Sequence, residues 1–143
     1  MKTRLNGLEM NWERHGPESE TPVVLIHGFP FGAAMWDPQV QALGREFPLV
    51  TYDLRGFGAS EAPAEPFHFE VFVDDLAALL DHLGARKAIL CGLSMGGYVG
   101  LRFTERHPDR VAGLALCATR SDADTDAMRI RRAAQARTVR LEG

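Results

Sequence analysis

The chain has 143 residues, of which 45% are hydrophobic and 24% are charged, and its formal net charge is −3. This length suits one globular domain with a hydrophobic core, and the small negative charge gives no basis for binding nucleic acid or an anionic membrane. No apolar stretch approaches the ~20 residues of a membrane span, and the N-terminus lacks the long apolar segment of a secretory signal. We therefore expect a cytoplasmic protein in which Cys91 and Cys117 are buried thiols rather than a disulfide.

Six segments have the pattern of β-strands. The first two are short, with an imperfect alternation of apolar and polar residues and a turn at Gly7 between them. The other four are apolar runs typical of parallel strands that are buried on both faces. In chain order, the predicted strands are 1–6, Leu8–Arg14, Pro22–His27, Leu49–Leu54, Lys87–Cys91 and Val111–Ala118.

Four segments have the apolar spacing of helices. The clearest, 70–83, is followed by Gly84, a typical residue at a helix C-terminus. The last segment combines an apolar stripe with five arginines. A helix that binds nucleic acid is one interpretation, and we favour a packed helix with a solvated basic face. In chain order, the predicted helices are Trp36–Phe47, 70–83, Met95–His107 and 126–142.

The alternation of strands and helices predicts an α/β fold. We expect a mostly parallel sheet of about six strands with helices on both faces. The first two strands are expected to form an antiparallel edge of this sheet.

A serine between glycines follows the fifth predicted strand. Gly92-Leu93-Ser94-Met95-Gly96 matches G-x-S-x-G, with the strand before it and the helix after it that a nucleophile elbow requires. The serine needs a positive φ, so its neighbours must be small, and Gly92 and Gly96 satisfy this. The turn directs Met95 N–H, at a helix N-terminus, towards a developing oxyanion. The alternative is a Gly- and Ser-rich turn without chemistry.

The turn after the third predicted strand contains a second candidate donor. In His27-Gly28-Phe29-Pro30, Phe29 N–H is the natural partner of Met95 N–H, whereas Pro30 has no N–H to donate. We expect His27 and Gly28 to support the shape of this turn, and His27 is the weaker candidate for a base. The alternative is an ordinary turn that ends a strand.

Four motifs extend over nearly the whole chain: HGFP at 27–30, YDLRGFGAS at 52–60, GLSMGG at 92–97 and ERHPDRVAGLAL at 105–116. In this order they resemble the α/β-hydrolase superfamily, and most closely its esterase, enol-lactonase and non-haem haloperoxidase-like branch. The resemblance implies an α/β-hydrolase core, Ser94 as nucleophile, and the Phe29 and Met95 N–H groups as the oxyanion hole. It also implies an ester or lactone as the substrate.

The chain departs from the family after its last predicted helix. The family's triad runs Ser, then Asp or Glu, then His, and the usual positions of the acid and the histidine lie beyond Gly143. We therefore expect a truncated core, with 1–120 as the N-terminal part of the hydrolase and 121–143 as the helical start of a cap region. Without a general base a serine is a poor nucleophile, so weak or no esterase activity is expected.

Few internal residues are placed to replace the missing acid and histidine. Ligand sites lie at the carboxyl ends of parallel strands, and His27 and His68 are the histidines on loops at that end. His68 is expected at the surface. Asp122 and Asp124 follow the last predicted strand and are candidate acids, although we favour helix capping and solvation as the explanation of both residues.

No metal-ligand spacing, P-loop or dinucleotide-binding motif occurs in the sequence, so no metal or cofactor is predicted. Two classes of function remain: a serine hydrolase, or a non-catalytic binding module or scaffold. The second is motivated by 111–118, an apolar strand that would form an exposed edge and pair with a second copy or a complementing chain. A lyase or perhydrolase would use the same serine and is not distinguished by the sequence.

Overall fold

A computed structural model describes residues 1–142, so Gly143, the last residue of the predicted cap segment, lies outside the described residues. The strands are β1 (Lys2–Leu5), β2 (Leu8–His15), β3 (Val23–Ile26), β4 (Leu49–Tyr52), β5 (Ala88–Leu93) and β6 (Val111–Cys117). The helices are α1 (Asp37–Leu43), α2 (Glu70–His82), α3 (Met95–Arg106) and α4 (Asp126–Glu142), with short 3-10 turns at Ala33–Trp36 and Pro108–Arg110.

The six strands form one sheet in the order β1-β2-β4-β3-β5-β6. β1 pairs antiparallel with β2, and β2 pairs antiparallel with β4. The pairs β3–β4, β3–β5 and β5–β6 are parallel. The predicted fold class is therefore confirmed, and the carboxyl ends of β3, β4, β5 and β6 meet at one edge of the sheet, where ligand sites of such folds lie.

Helices cover the two faces unequally. α2 and α3 pack on one face, where side chains such as Leu76, Leu79 and Phe103 are fully buried against the strands. On the other face, the 3-10 turn before α1 places Trp36 in a smaller cluster with Leu25 and Leu49. The α2–α3 face therefore holds the main core.

The helix predicted over Trp36–Phe47 is wrong in its extent. The chain forms a 3-10 turn to Trp36 and then α1, which ends at Leu43. Gly44 N–H bonds to the Val40 carbonyl at 2.8 Å, and the next N–H groups fold back onto Leu43 instead of continuing the helix. Leu43, the last residue of α1, is 44% exposed.

The expected burial of the C-terminal elements is also wrong. β6 is the edge strand, as one of the two interpretations of 111–118 expected, and none of its residues is fully buried, because no strand covers its outer side within residues 1–142. α4 has the predicted bounds but is not packed: Ile130, Val139 and Leu141 are about 70% exposed. Within residues 1–142, no helix has both the length and the apolar character needed to cross a bilayer.

Candidate active site

Ser94 lies in a strained turn between β5 and α3. Its φ of 50° and ψ of −110° are rare for a residue with a side chain. Hydrogen bonds fix its backbone on both sides: its N–H donates to the Cys117 carbonyl at 2.9 Å, and its carbonyl accepts Thr119 Oγ1 at 2.9 Å and Gly97 N–H at 3.0 Å. The hydroxyl is half-buried and takes no part in the hydrogen bonds among residues 1–142, so it is available to a ligand.

Close backbone contacts explain the glycines around this serine. A Cβ on Gly92 would collide with the Gly96 carbonyl, and a Cβ on Gly96 would collide with the carbonyls at the end of β3. A Cβ on Gly28 would lie 3.4 Å from Ser94 Cβ. The turn after β3 is therefore packed directly against the serine turn, as the interpretation of an oxyanion hole requires.

Two candidate backbone donors lie in the turns that pack together at Ser94. Met95 is the first residue of α3, so its N–H has no partner within the helix. Phe29 lies in a turn that Phe31 N–H closes by donating to the Gly28 carbonyl at 2.9 Å. Neither the Phe29 nor the Met95 N–H donates to an acceptor within residues 1–142. Both remain available to an anionic oxygen.

His27 is fully buried, and both of its ring nitrogens are engaged. Nε2 accepts the Leu54 N–H at 2.9 Å, which leaves Nδ1 to donate to the Gly28 carbonyl at 3.0 Å. Burial lowers the pKa of His27 from its ordinary 6.5, although the Gly28 hydrogen bond and the charge of Asp53 oppose that fall. A neutral ring with no free lone pair supports the turn and is poorly suited to act as a base.

The burial of His27 predicts a pH-dependent stability. Below its ordinary pKa of 6.5 the unfolded chain takes up a proton that the folded chain resists, because burial lowers the folded pKa. The unfolded state then binds more protons, so the free energy of unfolding falls with falling pH. We expect the free energy of unfolding, measured with urea, to fall more between about pH 7.5 and about pH 5 in the wild type than in His27→Gln, which lacks this titration. An equal loss in both proteins would contradict the prediction.

Asp53, which the sequence analysis did not single out, organises the loops beside the site. This buried carboxylate follows β4 and accepts Ala33 N–H at 2.6 Å, Ala59 N–H at 2.9 Å and Asn11 Nδ2 at 2.8 Å. Its backbone carbonyl accepts the Ser60 hydroxyl at 2.7 Å. An acidic residue directly after an apolar strand, within the motif at 52–60, was the available signal.

The candidate acids lie elsewhere. Asp124 forms ion pairs with Arg132 at 2.6 Å and Arg120 at 3.2 Å. Asp122 is exposed, as is His68. No hydrogen bond within residues 1–142 joins any of these side chains to Ser94. The structure therefore brings Ser94, Phe29, Met95, His27 and the glycines together but does not bring an acid to them.

A separate groove of about 620 Å³ lies beside β2 and β4, with Asn11, Thr51 and Asp53 in its wall. Ser94 and the two candidate donors are not part of its lining. Because the Asp53 oxygens already accept three donors, they offer little to a ligand there. In the part of the chain that the structure describes, no three His, Cys, Asp or Glu side chains are grouped as a metal site.

A strained serine turn at the carboxyl end of a mostly parallel sheet defines the α/β-hydrolase class of protein. The sequence profile of the alpha/beta hydrolase fold matches residues 21–139. The chain belongs to this family.

Three relatives illustrate the match. The structure of a thermophilic esterase from Thermogutta terrifontis is 40% identical with a TM-score of 0.91, covering 100% of this chain and 54% of that one. The structure of the enol-lactonase from Burkholderia xenovorans LB400 is 37% identical with a TM-score of 0.84, covering 96% of this chain and 54% of that one. The 3-oxoadipate enol-lactonase 2 of Acinetobacter baylyi is 31% identical, covering 71% of this chain and 38% of its own length. The chain thus spans about half the length of these solved structures and about two fifths of the curated relatives it matches.

Proposed function

We propose that the chain carries the nucleophile and the oxyanion hole of a serine hydrolase for carboxylic esters or lactones. One observation carries this proposal: the Ser94 hydroxyl, in a strained turn packed against the turn of Phe29, has no hydrogen-bond partner within residues 1–142, and neither do the Phe29 and Met95 N–H groups. The similarity to proteins described as an esterase and as enol-lactonases supports the substrate class.

The chemistry is acyl transfer through Ser94. Its Oγ attacks the carbonyl carbon, the carbonyl π electrons move to the oxygen, and the Phe29 and Met95 N–H groups stabilise that oxyanion. Collapse expels the alkoxide and leaves an ester of Ser94, which water then hydrolyses. Each donor of this kind contributes about 10²–10³ in rate.

This arrangement does not provide a base for the proton of the Ser94 hydroxyl. It has to pass to a base and then to the leaving alkoxide. His27 is not free to accept it, because Nε2 already accepts Leu54 N–H and Nδ1 donates to Gly28. Full activity therefore requires a base that residues 1–142 do not pair with Ser94, and the chain alone is expected to turn over esters slowly.

Labelling by a fluorophosphonate tests the nucleophile independently of full turnover. We expect the phosphorus of the probe to bond to Ser94 Oγ, with loss of fluoride, and peptide mass spectrometry to place the adduct at that residue. The labelling rate should fall at least about 100-fold in Ser94→Ala, because alanine has no oxygen to attack the phosphorus and other serines lack the neighbouring oxyanion donors. Ser19→Ala, which removes an exposed serine, is the matched control and should label like the wild type.

The second candidate function is a non-catalytic scaffold that pairs through β6 with a second copy or a complementing chain. The open edge of β6 and the exposed apolar side chains of α4 favour it. The labelling experiment, combined with sedimentation, separates the two functions. A chain that sediments as a dimer and shows no Ser94-dependent labelling would replace the hydrolase proposal with the scaffold.

A further inference from the structure

Two free cysteines lie on neighbouring strands of the sheet. Cys91 is in β5 and Cys117 is the last residue of β6. The register pairs Cys91 with Ala115 and Leu93 with Cys117, so Cys117 is two residues beyond the direct partner of Cys91. Because side chains two apart on a strand point to the same face, both thiols project from one face of the sheet.

The surroundings of the two thiols are apolar but accessible. Cys91 packs against the cluster of Leu25, Trp36 and Leu49, together with Leu93. Each cysteine is half-buried rather than enclosed. Burial raises the pKa of the Cys91 thiol to about 11, and contact with the Cys117 thiol adds to this rise. The two sulfurs are therefore neighbours. Their apolar surroundings suit a bound soft ion and disfavour free thiolates.

The strand geometry makes a direct disulfide difficult. A strand spacing of about 4.8 Å and a rise of about 3.3 Å per residue place diagonal Cα atoms roughly 8 Å apart. Disulfides need Cα atoms within about 7 Å and sulfurs about 2.05 Å apart. A single ion with bonds of about 2.3 Å to each sulfur instead spans a sulfur separation of about 3.8 Å.

We propose that Cys91 and Cys117 form a two-thiolate site for a soft metal or metalloid ion, of the class represented by trivalent arsenic. Soft thiolate ligands select such ions, and the diagonal register places both thiols on one face of neighbouring strands. With an organic arsenic(III) oxide as ligand, two S–H bonds break and two As–S bonds form. The oxygen leaves as water with both protons, and no electron transfer is required. The site is independent of the Ser94 chemistry.

Phenylarsine oxide is the probe that tests this site. We expect intact-mass spectrometry of the full chain to show one phenylarsenic per molecule, with both thiols lost to a thiol reagent. The adduct should survive an excess of a monothiol and be removed by a dithiol, because two As–S bonds hold it. In Cys91→Ser and in Cys117→Ser, whose folding is checked by circular dichroism, a monothiol should remove any adduct.

Three outcomes would overturn the site. One is the absence of a monothiol-resistant adduct on the wild type, and a second is an equally resistant adduct on either folded single-cysteine variant. The third is rapid formation of an intramolecular Cys91–Cys117 disulfide when the native protein is treated with a mild oxidant. That result would mean that the thiols are closer than the register places them.

Discussion

Replacing Gly96 with alanine is expected to destabilise the protein by about 3 kcal/mol or more. A Cβ at this position would collide with the Ile26 and His27 backbone carbonyls. Backbone atoms held in a parallel sheet cannot move aside as a flexible side chain does, so α3 would have to shift away from β3. Since domains of this size have total stabilities of about 5–15 kcal/mol, the substitution would remove a large fraction of the free energy of unfolding.

Gly113→Ala is the matched control for this prediction. Gly113 lies in β6, where a Cβ would meet the Ile89 side chain at 3.6 Å, which is an ordinary van der Waals contact. Urea unfolding should therefore place Gly113→Ala within about 1 kcal/mol of the wild type. Equal midpoints for the two variants would show that α3 does not depend on close approach at Gly96.

The strain at Ser94 connects β6 to the site. A residue held at a φ of 50° and a ψ of −110° costs about 1–3 kcal/mol and persists only where its surroundings fix it. The Cys117 carbonyl and the Thr119 hydroxyl bond to the N–H and carbonyl of Ser94. Ala118 between them also has a positive φ, of 45°. β6 is thus an open edge of the sheet, and the residues at its carboxyl end also hold the Ser94 turn in its strained conformation.

Much of the fold could be predicted from the sequence because its signals are local. Continuous apolar runs marked the inner strands, and the periodicity of 70–83 marked α2, which the structure gives as Glu70–His82. What failed depended on neighbours in space. The apolar run Val111–Ala118 fits both a strand buried on two faces and an exposed edge, so it does not decide the burial of β6, and the stripe on α4 does not reveal whether a partner covers it.

The same distinction between local signals and contacts in space applies to the site. The serine turn was predictable because its strain demands small residues at fixed spacing, and Ser94 has the positive φ that was expected. The engagement of His27 was not, because its partner Leu54 is 27 residues away along the chain. Asp53 was missed for the same reason: Asn11, one of its donors, is 42 residues away. Such contacts are set by tertiary packing rather than by any local pattern.

Replacing Asp53 with alanine is expected to cost about 3 kcal/mol, because it leaves three partly buried donors without their acceptor, at about 1 kcal/mol each. The Ala33 and Ala59 N–H groups and the Asn11 amide all point at this carboxylate. They belong to β2 and to the loops after β3 and β4, so no single side chain can replace their common partner. A Cβ at Gly32 or Gly58 would also strike the carboxylate, which shows how closely both loops are drawn to it.

Urea unfolding of three variants measures this dependence. Asp53→Asn keeps one oxygen acceptor but turns an amide towards the remaining donors, so its loss of stability should fall between those of the wild type and Asp53→Ala. Asp122→Ala removes an exposed carboxylate and should lie within about 0.5 kcal/mol of the wild type. If Asp53→Ala unfolds at the same urea concentration as Asp122→Ala, the three hydrogen bonds do not hold the loops. The turn that carries Phe29 would then owe its position to the His27 hydrogen bonds and to packing on Ser94 and Gly96.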